Sequence, residues 1–107
     1  MVEVYPAAAL RRWGFNSLRY KGKACAEARA ALVSTFREAT SRWLRLSATQ
    51  WELCVLGDDA FDAVIAAIAA RAAAVGLCDP VPEEKLPLAK VEGWIALPLR
   101  DSLSRVA

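Results

Sequence analysis

The chain has 107 residues and a formal net charge of +2, with 56% hydrophobic and 24% charged residues. This length allows one domain at most, and the small net charge gives no strong electrostatic signal for nucleic acid or membrane binding. Histidine is absent, which excludes the usual zinc sites and Ser-His or Cys-His catalysis.

The three cysteines are spaced too widely to form a metal-binding pair. Cys25, Cys54 and Cys78 lie among alanines and other small residues, which is typical of core positions in a reduced protein. The N-terminus has neither a basic region nor a long apolar run of the signal-peptide type. We therefore expect a cytoplasmic protein.

The first half of the sequence predicts a strand and two helices. Alternation of apolar and polar residues over 2–5 indicates a strand, which Pro6 ends. A short helix follows over 7–13 and ends at Gly14. After a polar connection, a second helix is expected over 24–39. Its apolar face consists of Ala28, Ala31, Leu32, Thr35 and Phe36.

The second half contains the longest predicted helix. Ser47 and Gln50 have the spacing of a capping box that begins a helix leading to Gly57. A buried, alanine-rich helix is then expected over about 59–75, capped by Asp58 or Asp59.

The proline-containing segment after this helix leads to a second short strand over 93–97, and residues 99–107 are expected to form a loose tail. Residues 60–78 are apolar enough to suggest a membrane span. Asp62 and Arg71 interrupt them, so we predict a buried helix and no membrane partner.

These elements describe a helix-rich α/β chain with an incomplete sheet. Two short strands are marginally stable in water unless other strands or helices complete them. Residues 1–98 are therefore expected to form a single partial domain. We expect its sheet to be completed by self-association or by an upstream fragment that carries the missing strands.

Four motifs occur in the order and approximate spacing of a known family. They are Glu3-Val4-Tyr5-Pro6-Ala7-Ala8, Tyr20-Lys21-Gly22, Asp58-Asp59-Ala60-Phe61-Asp62-Ala63 and Glu92-Gly93-Trp94-Ile95-Ala96-Leu97-Pro98. In these residues the chain resembles the C-terminal part of domain-of-unknown-function family 429 (DUF429), predicted RNase H-like nucleases. The resemblance implies a partial RNase H-like fold that lacks the first strands and their acidic residue.

The resemblance also implies a chemistry, namely metal-dependent phosphodiester hydrolysis. Glu3 matches the family's strand glutamate, and Asp62 is similar to the final helix aspartate, with Asp59 three places earlier. These three residues are the expected catalytic residues and ligands of Mg²⁺ or Mn²⁺. Lys21 is a candidate phosphate contact, and nucleic acid is the implied substrate.

Each candidate residue has a simpler interpretation as well. Asp62 fits a capping role or a salt bridge, for example with an arginine. Glu3 fits a solvent-facing strand position, and Lys21 a basic loop. The alternative function is a non-catalytic interaction module that packs against its own copy or another chain.

The basic residues lie mainly in the first half of the chain. Nine lysines and arginines precede Asp58, which is a weak indication of a surface that faces a polyanion. The alternative is an ordinary solvated helical surface.

Overall fold

The computed structural model describes residues 2–16, 20–80, 83–85 and 94–107, with the side chains of residues 2, 3, 94 and 95 outside the description. Within these ranges the chain is helix-rich and contains four α-helices. In this described part, no helix has the length and apolar character needed to cross a membrane.

Two three-residue strands, β1 (Val2–Val4) and β2 (Trp94–Ala96), pair in parallel. The register places Glu3 opposite Ile95. Both strands lie within the ranges 2–5 and 93–97 expected from the sequence, although Gly93 falls outside the described residues. Parallel strands need a long crossover connection, and here the four helices lie between them in the chain.

Helix α1 (Pro6–Arg12) begins with a proline at its first position and is followed by Gly14 at φ 90°. Helix α2 (Ala26–Ala39) begins two residues later than expected, after a 3₁₀ turn over Lys23–Cys25. The expected apolar face of α2 is confirmed at Leu32 and Phe36, which are buried. It is wrong at Ala28, Ala31 and Thr35, which are exposed. The buried residues are Arg29, Leu32, Val33 and Phe36.

Helix α3 (Ala48–Leu56) has the predicted capping box. The Ser47 side chain accepts from the Gln50 amide at 3.1 Å, and the Gln50 side chain accepts from the Ser47 amide at 2.7 Å. These bonds satisfy two backbone donors that the helix itself leaves unpaired. The prediction of a helix start at Ser47 is therefore confirmed.

Helix α4 (Asp58–Ala74) is capped by Gly57, whose backbone is extended, and no side chain caps it. The prediction that Asp58 or Asp59 caps this helix is wrong, because both residues already lie in its first turn. At the other end Gly76 adopts φ 78°, as expected for a glycine that follows a helix.

Helix α4 is the centre of the fold, since it contacts α1, α3 and both strands. An aromatic series joins it to α2: Phe36 packs against Phe61 with centroids 5.6 Å apart, and Phe15 packs against Phe36 at 5.4 Å. Both Phe36 and Phe61 are fully buried. The Phe36 and Phe61 rings meet edge to face, at an interplanar angle of 85°, and this geometry adds to the stabilisation from burial.

Residues 99–107 do not form the loose tail that the sequence predicted. Ser102 and Val106 are buried, with 0% and 1% exposure. The Trp13 indole donates to the Ser102 hydroxyl at 2.9 Å, and the Arg71 guanidinium donates to the Val106 carbonyl at 2.6 Å. This segment therefore packs onto α1 and α4 as part of the domain.

The three cysteines are free thiols. Cys54 is buried, as expected, whereas Cys25 and Cys78 are partly exposed. Burial raises the pKa of both the Cys54 and the Cys78 thiol. Neither of these two sulfurs is therefore activated as a nucleophile by its surroundings.

Candidate functional site

Asp62 lies near the N-terminal end of α4, with 18% of its side chain exposed. Its helical neighbours Phe61 and Ile65 are fully buried. The backbone amides at a helix N-terminus favour negative charge, but only by about 0.3 to 1 kcal/mol. A carboxylate that is largely removed from water needs stronger partners. Two side chains of the loop between α1 and α2 supply them.

The first partner is Tyr20, whose hydroxyl donates to Asp62 Oδ1 at 2.5 Å. The Tyr20 ring is buried and packs edge-on against Phe61 with centroids 6.0 Å apart. Burial, followed by the hydrogen bond and charge of Asp62, raises the pKa of Tyr20 well above its ordinary value of 10.0. The phenol therefore stays protonated and fixes one carboxylate oxygen.

The second partner is Lys21, whose Nζ lies 2.9 Å from Asp62 Oδ2. The hydrogen bond to Asp62 raises the pKa of Lys21 above its ordinary value, against the opposing effect of burial. Because 57% of the Lys21 side chain is exposed, water screens this pair and it contributes little stability. The salt bridge considered for Asp62 is thus made by a lysine, and the arginine suggested for it is wrong.

The loop that carries these partners is attached to two helices. The Gly22 amide donates to Asp58 Oδ1 at 3.1 Å, which joins the loop to the first turn of α4. Arg29 of α2, only 3% exposed, donates from Nη1 to the carbonyls of Tyr20 and Gly22 at 3.0 and 2.8 Å.

The remaining donors of Arg29 reach the C-terminal end of α3. Its Nε donates to the Val55 carbonyl at 2.7 Å, and its Nη2 donates to the Leu56 carbonyl at 3.2 Å. These carbonyls carry the partial negative charge of a helix C-terminus. Arg29 therefore fixes the loop against α3, and through the loop it holds Tyr20 and Lys21 beside Asp62. We call Tyr20, Lys21, Gly22, Arg29, Asp58 and Asp62 the Asp62 cluster.

The structure brings Lys21 and Asp62 together, two residues that were expected to bind phosphate and metal separately. Asp59 is exposed, and its charge adds to the raised pKa of Lys21. Glu3 is placed in β1 by its backbone, which pairs with Ile95, but its side chain lies outside the described residues. The expected meeting of Glu3 with Asp62 is therefore not among the described contacts.

The acidic side chains of this region offer the type of ligand atom that a hard divalent cation prefers. Asp58, Asp59 and Asp62 offer carboxylate oxygens, which Mg²⁺ and Mn²⁺ prefer. In number they fall short, because the described residues contain no group of three or more acidic or cysteine side chains placed to hold a metal ion. In addition, the Lys21 ammonium occupies the Oδ2 side of Asp62.

Sequence reasoning missed Tyr20 and Arg29 as parts of this region. Arg29 is spaced three, four and seven residues from Leu32, Val33 and Phe36, so it shares the buried face of α2. A charged residue within such an apolar stripe was a usable signal. Tyr20 lies in the motif Tyr20-Lys21-Gly22, but no sequence pattern links it to its partner Asp62, which is 42 residues away.

Comparison with known proteins gives one match. The family model described as "Protein of unknown function (DUF429)" matches residues 1–86, which include β1, the Asp62 cluster and all of α4. No curated protein and no solved structure matches the chain significantly.

Proposed function

Since the chain belongs to the DUF429 family, we propose that it carries the Asp62 part of a metal-dependent RNase H-like nuclease site and hydrolyses phosphodiester bonds weakly or not at all by itself. In this proposal Glu3, Asp59 and Asp62 hold Mg²⁺ or Mn²⁺, and Lys21 contacts a nucleic-acid phosphate. A divalent cation in such a site activates water and stabilises the leaving oxygen.

The observation that carries the proposal is the way in which Asp62 is held. The buried Tyr20 hydroxyl fixes Oδ1, while the counter-charge at Oδ2 comes from a lysine that is 57% exposed. The Lys21 side chain is long and flexible. Its ammonium group can therefore move away from Asp62 Oδ2 and leave room for a metal ion, while Tyr20 keeps the carboxylate in place. On this proposal Lys21 neutralises Asp62 in the metal-free protein, and it would be free to contact phosphate where a divalent cation neutralised Asp62 instead.

A manganese titration tests the proposal. Mn²⁺ is expected to raise the midpoint of thermal unfolding, by about 4 °C or more for each kcal/mol by which the bound ion stabilises the folded state. Asp62→Asn keeps the shape of the side chain but removes its charge, so this variant is expected to lose the shift. Lys21→Gln removes the competing cation and is expected to show the shift at lower Mn²⁺ concentration.

The matched control is Asp101→Asn, an exposed aspartate that pairs with Arg105 at 3.3 Å and lies outside the Asp62 cluster. This variant is expected to keep the wild-type shift. The absence of any shift in the wild type, or an equal shift in Asp62→Asn, contradicts the proposal.

A second candidate function is a non-catalytic module that completes its sheet with its own copy or with a partner chain. Among the residues that the structure describes, the sheet has only two strands of three residues, which is marginal by itself. Leu53 and Leu56 of α3 are also exposed, by 53% and 69%. This candidate expects no Mn²⁺ shift in any of the variants, so the titration separates the two functions.

A further inference from the structure

A cavity of about 420 Å³ lies between α1 and the segment that follows β2. Arg11 and Arg12 come from the last turn of α1, and Arg100 comes from the turn after Pro98. We call this cavity the basic pocket; its lining residues are Ala8, Arg11, Arg12, Leu97 and Arg100.

The charges of the basic pocket are only partly neutralised. Arg12 donates to Asp79 Oδ2 at 2.8 Å, and none of the described residues that line the cavity carries a carboxylate. Arg11 and Arg100 are exposed, and neither forms an ion pair with another described residue. Among the residues that the structure describes, three guanidinium groups and one carboxylate leave two positive charges at the cavity.

The basic pocket is remote from Asp62. Asp79, which holds Arg12, follows the C-terminal end of α4, whereas Asp62 lies near its N-terminal end. The twelve helical steps from Asp62 to Ala74 span roughly 18 Å at the helical rise of 1.5 Å per residue. The two regions are therefore separate sites, and the pocket is not a further part of the Asp62 cluster.

The chemistry of the lining identifies a class of ligand. Guanidinium groups bind phosphate oxygens through paired, charge-assisted hydrogen bonds. Ala8 and Leu97 add apolar surface to the same cavity, and the volume lies in the range of small-molecule sites. Both features suit an anion that carries an organic group better than a bare inorganic ion.

From these observations we propose that the basic pocket binds a phosphate ester, held by Arg11 and Arg100. Arg12, which Asp79 fixes, supplies the third positive charge. The phosphate comes either from a free nucleotide or from the backbone of a nucleic-acid strand. The proposal does not depend on metal binding at Asp62, so either one can fail without the other.

Binding measurements with three probes test the proposal: adenosine monophosphate, a short single-stranded DNA and inorganic phosphate. Calorimetry or amide NMR shifts are followed for the full chain and for Arg11→Gln and Arg100→Gln. Each substitution is expected to weaken phosphate-ester binding by about tenfold or more, as the loss of a charge-assisted hydrogen bond implies. Arg42→Gln is the matched control, because Arg42 is exposed and lies outside the basic pocket.

Each result of these binding measurements either supports or overturns the proposal. Weaker binding of either ester probe in both pocket variants but not in Arg42→Gln supports the proposal, and the probe that binds identifies the source of the phosphate. An equal loss in all three variants indicates non-specific charge attraction and overturns it. Failure of both ester probes to bind the wild type, or binding of inorganic phosphate alone, also overturns it. Asp62→Asn is expected to bind the esters as the wild type does.

Discussion

Arg29 is the residue on which the arrangement around Asp62 depends most. It is 3% exposed, and removing a charge from water costs several kcal/mol unless hydrogen bonds compensate. The described hydrogen bonds of Arg29 all go to backbone carbonyls, two in the loop and two at the end of α3. The guanidinium can reach all four because its donors lie in a planar, rigid fork.

Replacing Arg29 with methionine is expected to destabilise the domain. The apolar stem is retained, but the four carbonyls lose their hydrogen bonds from Arg29, and an unsatisfied buried polar group costs roughly 1 to 3 kcal/mol. The Gly22 carbonyl keeps the Cys25 amide as a donor at 3.3 Å. Since some of these carbonyls gain access to water, we expect the free energy of unfolding to fall by about 2 to 4 kcal/mol. Urea denaturation followed by circular dichroism measures the change.

Arg42→Met provides the comparison for Arg29→Met, since it removes the same charge from an exposed position. Its effect on the free energy of unfolding is expected to stay within about 0.5 kcal/mol. Equal stabilities of the two variants would contradict the role assigned to Arg29 and would mean that the loop is held without it.

At the scale of elements, we expect a glycine-to-serine substitution to change the free energy of unfolding in opposite directions at the two ends of α4. Gly57 is extended, at φ −145°, and a Cβ there meets only the Leu53 carbonyl at 4.0 Å, whereas Gly76 is left-handed at φ 78°. Gly57→Ser supplies a capping hydroxyl and restricts the unfolded chain, so we expect a gain of about 0.5 kcal/mol in the free energy of unfolding. Gly76→Ser is expected to lose about 1 kcal/mol.

Chemical denaturation of the two serine variants checks this expectation. Each variant is the control for the other, because the substitution is the same and both glycines lie within two residues of α4, whereas their backbone conformations differ. Stability changes of the same sign at both positions would contradict the assigned conformations.

The elements of the fold were predictable wherever their signals are local. Pro6, the Ser47 capping box and Gly76 each define a helix end through neighbouring backbone groups. The buried face of α2 was not predictable from apolar residues alone, because it includes Arg29. The N-cap of α4 was predicted wrongly because aspartate is intrinsically a better N-cap than glycine. In the structure the Asp58 side chain instead accepts a hydrogen bond from the Gly22 amide of the loop.

The candidate site, like the elements of the fold, was predictable only where its signals are local. That Asp62 needs an explanation was visible from its apolar neighbours, and it is indeed only 18% exposed. Its partners Tyr20 and Lys21 lie about forty residues earlier in the chain, and no helical or strand periodicity connects positions so far apart. Their pairing depends on the packing of α2 and α3 around α4, which sequence patterns do not specify.

At the scale of the whole molecule, α4 separates the Asp62 cluster, in which Lys21 and Arg29 offset the charges of Asp58 and Asp62, from the positively charged basic pocket. The Asp62 cluster lies near its N-terminal end, and the basic pocket lies near its C-terminal end. α4 is also the element that contacts both strands, α1 and α3. Its packing therefore sets the distance between the two regions, and any ligand that reaches both must extend along α4.

Closure of the domain by residues 99–107 is tested by two matched substitutions. Val106 is 1% exposed and lies beside the Arg71 guanidinium that binds its carbonyl, whereas Val75 is 45% exposed. Val106→Ala removes buried methyl groups, so we expect the free energy of unfolding to fall by about 2 kcal/mol. Val75→Ala makes the same chemical change at the surface and is expected to stay within about 0.5 kcal/mol. If urea denaturation gives equal values, Val106 is not buried, and residues 99–107 form the loose tail that their sequence alone suggests.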